Sequence, residues 1–147
     1  MTVRWRESVR AEWVDYNGHL SEAYYVLVFG HATDAVMDAV GLGTAYRERT
    51  GASLYTAEAH IRYLGQVQDG EVLEVRSSVI GASQTVLWIW HEMSVAGDLR
   101  ATEEILGIHV DVAAAAATQL PTEVRQAVDA MLETPPIDAG RRIDVSR

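Results

Sequence analysis

The chain has 147 residues, 48% hydrophobic and 22% charged, with no cysteine and a formal net charge of −9. One domain with a real core fits that length, and the missing thiols exclude disulfides, thiolate catalysis and cysteine-ligated zinc. The acidic balance argues against a fold-wide basic surface for nucleic acid, and no apolar run reaches the roughly 18 residues a membrane span needs. The N-terminus carries Arg4, Arg6, Glu7 and Arg10 where a signal peptide would be apolar, so a soluble cytoplasmic protein is expected. All twelve basic residues are arginines. An anionic ligand would have to find local ones such as Arg62, Arg76 or Arg100.

In chain order, residues 4–13 alternate, with Arg4, Arg6, Ser8, Arg10 and Glu12 forming one wholly polar set. That predicts a strand with one solvated face. Asp15-Tyr16-Asn17-Gly18-His19 follows, and Asn-Gly strongly favours a turn. Ser21 is placed to cap a helix that Gly41 would stop, and Glu22 suits its first turn, where the dipole favours negative charge. The run between is apolar on most sides, with His31, Asp34 and Asp38 as a narrow polar stripe. This predicts a helix of about 19 residues, nearly 30 Å long, wrapped by other structure. Gly30 costs roughly 1 kcal/mol of helix propensity, and close approach to a sheet would account for it.

Residues 44–50 read as a short polar connector or one helical turn, and 52–64 as a strand. Three more strands are expected at 71–80, 84–95 and 99–112, after Asp69-Gly70, Gly81-Ala82-Ser83 and Gly97-Asp98, in an antiparallel meander. Ala113 to Ala117 is either a strand end or a linker, and a short helix is predicted over 122–133. Pro135-Pro136 and the scattered charges after them read as a tail, 135–147, that need not be ordered. The layout is α+β: a single domain over 1–134, whose sheet must curl if it is to bury one helix on most sides.

The string Asp15-Tyr16-Asn17-Gly18-His19, the helix behind it, and His60-Ile61-Arg62-Tyr63-Leu64 with Gly70 soon after resemble the hotdog-fold acyl-CoA thioesterases. The nearest branch is that of the 4-hydroxybenzoyl-CoA thioesterase-like proteins, and the likeness covers roughly residues 5–133. It implies a five-stranded antiparallel sheet wrapped around one long helix, and homodimers or tetramers with sites at the subunit interface. The reaction it implies is hydrolysis of an acyl-CoA, with coenzyme A entering only as part of the substrate and no other cofactor. In that family the acidic residue matching Asp15 is nucleophile or general base, and a backbone amide at the helix start, here that of Glu22, holds the thioester oxygen. Many relatives carry Asn-Asn where this chain has Ser21-Glu22. The longer string from Glu12 to His19 looks more like the thioesterases of carnitine and betaine breakdown, which act on betainyl-CoA.

Each candidate also has a plainer role. Asp15 could activate water or attack directly, or could only organise the Asn17-Gly18 bend. His19 could steer Asp15 or simply bond the loop backbone. Asn17 and Gly18 are turn chemistry first, with substrate contact as the alternative. Glu22 could draw in a cationic acyl group, and Tyr24, Tyr25, Trp88 and Trp90 could hold a quaternary ammonium by cation–π attraction, or all could be core or interface aromatics. Glu58 and His60 could enter a neighbour's site. His60, His91 and His109 fall on three strands with Glu58 and Glu103, without close ligand spacing, so no metal is read. Two other functions stay open: a hotdog dehydratase on a thioester-linked acyl group, and a non-catalytic acyl-CoA or small-ligand binding protein.

Overall fold

The computed structural model describes residues 2–146. Five strands form one antiparallel sheet: β1 (Val3–Ser8), β2 (Ala52–Tyr63), β3 (Val72–Ala82), β4 (Val86–Val95) and β5 (Asp98–Asp111), in the order β1-β3-β4-β5-β2. A two-residue strand, β6 (Ala116–Ala117), adds to β5 beside a turn where Ala115 takes positive φ. Residues 113–117 are therefore both turn and strand end. The meander is laid down by tight connections, with Gly70 and Gly97 both at positive φ.

β1 stops at Ser8, short of the predicted strand. Its ladder with β3 ends at Ser8 opposite Val72, and after Val9 donates to Glu71 C=O no partner strand remains. The chain turns instead through a 3-10 segment, Ala11–Trp13, which buries Trp13.

α1 (Glu22–Val40) lies on the inner face of the sheet and ends at Gly41, whose φ of 88° permits the left-handed cap. α2 (Thr44–Thr50) and α3 (Thr122–Met131) close one end of the core. Tyr25, Val28, Phe29, Ala32, Thr33, Val36 and Val40 face inward on α1. The opposite side is not wrapped: Ala23, Val26, Leu27 and Gly30 are exposed. A Cβ on Gly30 would meet nothing within 4 Å, so close approach to this sheet does not account for the glycine. α1 packs over β1, β3 and β4, leaving β2 at the sheet edge with an unpaired side.

The C-terminal segment is folded onto the outer face of the sheet. Gly140 N–H donates to Glu104 at 2.9 Å, and Asp138 stands 3.7 Å from Arg62. Composition suggested a loose tail; these partners, all distant in sequence, hold it down. No single helix among the described residues is long and apolar enough to cross a membrane.

Candidate active site

Residues 13–21 make a closed loop directly before α1. Val14 and Leu20 form an antiparallel bridge, Asp15 N–H donates to His19 C=O at 2.9 Å, and Ser21 N–H donates to Trp13 C=O at 2.9 Å. Gly18, at the bend, has a φ of 80°. Asp15 Oδ1 accepts the N–H of Asn17 at 2.9 Å and that of His19 at 3.3 Å. The Asx turn is thus present, but it uses one oxygen only. Asp15 Oδ2 has no hydrogen bond among the described residues.

Ser21 stands at the N-cap position with extended backbone, yet its hydroxyl makes no capping bond, contrary to the sequence expectation. The first amides of α1 are consequently free. Among the described residues no acceptor stands against the N–H of Glu22 or of Ala23. Such amides, reinforced by the helix dipole, suit a developing oxyanion.

A second segment closes on the same place. Leu20 N–H donates to Val67 C=O at 2.7 Å and His19 bridges to Gln68. Between the two lies an open cleft of about 590 Å³ lined by His19, Leu20, Glu22, Tyr25, Tyr63 and Leu64 to Gln66, a size suited to a small ligand. Tyr25 is buried and donates its O–H to Gly65 C=O at 3.1 Å, while Tyr63 meets it edge-on, 5.1 Å between centroids. Burial raises the Tyr25 phenol above its ordinary range; Arg100 opposes this and Asp15 adds to it. Burial also raises Tyr63, helped by Glu22 and Glu103. The cleft end of α1 is therefore aromatic, with the carboxylates of Glu22 and Asp15 and the guanidinium of Arg100 all acting on its tyrosines.

The remaining candidates divide. Tyr24 stacks on Trp13 at 5.5 Å, behind the loop, and Asn17 is exposed beside Gly18. Trp88, Trp90, Glu58 and His60 are brought together with Glu104, but on the outer face, across the sheet from α1. Strand alternation decides this: His91 faces α1 through Thr33 and Phe29, so its neighbours Trp90 and Glu92 face away. Trp88 donates to Glu104 at 2.8 Å and Trp90 to Glu92 at 3.0 Å. Within one chain neither tryptophan can form a cage at the α1 start. Sequence alternation places the pair on one face without saying which.

Two residues weighed in the sequence only as metal ligands, His91 and Glu103, are buried on the inner face. His91 is fully buried, and its ring is satisfied on both sides, by Thr33 Oγ1 at 2.9 Å and Ser77 Oγ at 2.6 Å. Because the Thr33 hydroxyl already donates to Phe29 C=O, it accepts from Nε2–H of His91, leaving Nδ1 to accept from Ser77. That assigns a neutral ring, and burial lowers its pKa to about 3. Glu103, opposite Ile61 on β2 and His91 on β4, is 4% exposed and has no hydrogen bond among the described residues. His91 stands 4.0 Å away and as a neutral ring forms no ion pair with it. Burial raises the Glu103 carboxyl to about 7. The signal was available: in Glu103-Glu104, within an alternating strand, one carboxylate must point inward.

Residues 9–128 match the model of the thioesterase-like superfamily. The chain belongs to that superfamily. A betainyl-CoA thioesterase of Pseudomonas aeruginosa is 39% identical over 128 residues, which are 85% of this chain and 80% of that protein. An L-carnitine dehydrogenase/betainyl-CoA thioesterase of Rhizobium meliloti is 34% identical over 95% of this chain, which spans only 29% of that larger protein. Among solved structures, a Staphylococcus aureus protein in complex with CoA superposes with a TM-score of 0.90 at 20% identity, covering 99% of this chain and 96% of the other. The hotdog fold expected from the motif and strand order is the fold of this thioesterase-like chain, and a thioester hydrolase is the enzyme class it belongs to.

Proposed function

We propose that this acyl-CoA thioesterase hydrolyses a small acyl-CoA with a cationic acyl group, betainyl-CoA first among them, to the free acid and CoA. The observation that carries the reading is the meeting of two features at one end of α1. The unpaired amides of Glu22 and Ala23 open beside the cleft, and the loop bearing Asp15 is tied by Ser21 and Leu20 to the same end.

In this reading the thioester oxygen rests on the Glu22 and Ala23 amides, which stabilise charge as the carbonyl carbon becomes tetrahedral. Asp15 Oδ2 activates water or attacks the carbon itself, with Oδ1 held by the loop amides so that the carboxylate cannot swing away. His19 fixes the loop through its backbone, and Glu22 and the tyrosines supply the negative, aromatic surroundings a quaternary ammonium favours. The 39% identical betainyl-CoA thioesterase supports the choice of acyl group.

The unpaired edge of β2 and the exposed apolar side of α1 favour a homodimer built across them. Acyl-CoA as substrate implies work in the cytoplasm. The test is a panel of acyl-CoAs, cationic and neutral, assayed for thiol release. Turnover highest on betainyl-CoA is the expected result. Preference for neutral acyl groups overturns the substrate assignment, and hydration of an enoyl-CoA without thiol release overturns the reaction.

A further inference from the structure

The inner face of the sheet between α1 and β2 contains a carboxyl group that the fold leaves unsatisfied. Glu103 is 96% buried by the complement of its 4% exposure, and nothing in the described chain hydrogen-bonds it. An isolated buried carboxylate is costly unless something compensates it. Among the described residues His91, at 4.0 Å, is the one basic group within ion-pair distance, and its two nitrogens are already engaged by Thr33 and Ser77. Glu103 is therefore a buried carboxyl that holds its proton more tightly than an ordinary glutamate and that, once ionised, has no ion-pair partner among the described residues.

Its place is informative. On β2 the residues facing inward include Ile61 and Tyr63, and on β5 they include Ala101 and Glu103, so Tyr63 lies diagonally across from Glu103 on one face. The Glu103 charge acts on the Tyr63 phenol, as does that of Glu22 from the start of α1. Tyr63, 45% exposed, in turn lines the cleft and meets the Tyr25 ring edge-on. Glu22 thus lines the cleft beside this aromatic pair, and Glu103, outside the lining, acts on the Tyr63 ring from the adjoining strand.

We propose that Tyr63 and Glu103 form the subsite that selects a cationic acyl group, with the Tyr63 ring against the quaternary ammonium and the Glu103 carboxylate as its buried counter-charge. This rests on the thioester-hydrolase reading and specifies how that site chooses its substrate. A trimethylammonium group has no N–H, so it needs no hydrogen-bond acceptor. It is matched by a ring face and by a carboxylate that other groups do not occupy. Burial, which raises the carboxyl to about 7 when the site is empty, also strengthens its attraction for a cation that enters. Glu103 acts on specificity and takes no part in bond breaking.

The test uses two thioesters of one shape, betainyl-CoA and 3,3-dimethylbutyryl-CoA, in which a carbon replaces the charged nitrogen. For the wild-type protein and Glu103→Gln, kcat/KM is measured by thiol release on each. Glu103→Gln is expected to lower the cationic-to-neutral ratio at least tenfold, chiefly through KM on betainyl-CoA. Tyr63→Leu, at a half-exposed position, should lower the ratio several-fold by a separate route. An equal loss on both substrates, or an unchanged ratio, overturns the subsite. Binding of tetramethylammonium, followed by NMR titration, needs no thioester chemistry. If it binds the wild type and not Glu103→Gln while no thioester is cleaved, the subsite stands and the hydrolase reading falls. If betainyl-CoA is cleaved at the same ratio by both proteins, the hydrolase reading stands and the subsite falls.

Discussion

Asp15 Oδ1 accepts the backbone N–H of Asn17 at 2.9 Å, so this one side chain both closes the loop before α1 and offers its other oxygen to a substrate. The two jobs separate by substitution. Asp15→Asn retains an acceptor at Oδ1 and removes the charge. Its thiol-release rate should fall by about 10²–10⁴, with a thermal midpoint close to wild type. Asp15→Ala should show the same loss of rate and in addition lose about 1 kcal/mol of stability as the turn loses its acceptor, read by urea unfolding.

Opposite pH slopes are expected from the two buried inner groups. His91 has a folded pKa of about 3 against an ordinary 6.5, so its contribution is complete above pH 6.5 and is lost as pH falls toward 3. Glu103 is raised from 4.5 to about 7, so the native state binds its proton more tightly. The cost of ionising it appears as pH rises through that interval. Glu103→Gln should therefore match wild type below pH 4.5 and exceed it by about 3 kcal/mol at pH 8, measured by urea unfolding at both values. A variant equally stable at pH 8 would contradict the burial of an unpaired charge.

Glu104 accepts the indole N–H of Trp88 at 2.8 Å and the N–H of Gly140 at 2.9 Å, joining the C-terminal segment to the sheet. Glu104→Ala leaves both donors without it and should cost about 2 kcal/mol. Hydrogen exchange around residues 136–142 should accelerate markedly while exchange in α1 stays unchanged.

Val26 and Leu27 are each 42% exposed on the open side of α1. If that side joins two copies, Val26→Asp should halve the mass seen by sedimentation velocity. Monomeric wild-type protein would remove the proposed interface.

The long helix was legible because its limits are local: Glu22 in the first turn and Gly41, at a φ of 88°, at the other end, although Ser21 fills the N-cap position without making the expected capping bond. Gly70 and Gly97 marked the meander turns for the same reason. Side-chain facing was less accessible. Trp88 and Trp90 share a face by alternation, yet only the packing of His91 beneath α1 establishes that theirs is the outer one. Glu103 was weighed only as a metal ligand, and its inward facing was not read because an inward carboxylate contradicts the apolar pattern used to find strands; such contradictions concentrate at functional positions. The C-terminal segment was misleading for another reason: Asp138 and Gly140 find Arg62 and Glu104, residues far away in sequence that no local pattern connects to them.

That segment has a geometric consequence for assembly. Laid over Trp88, Glu104 and Arg62, it takes up the convex back of the sheet, so two sheets could stack back to back only after peeling residues 138–140 away. Any association of chains is therefore steered toward surfaces other than this one.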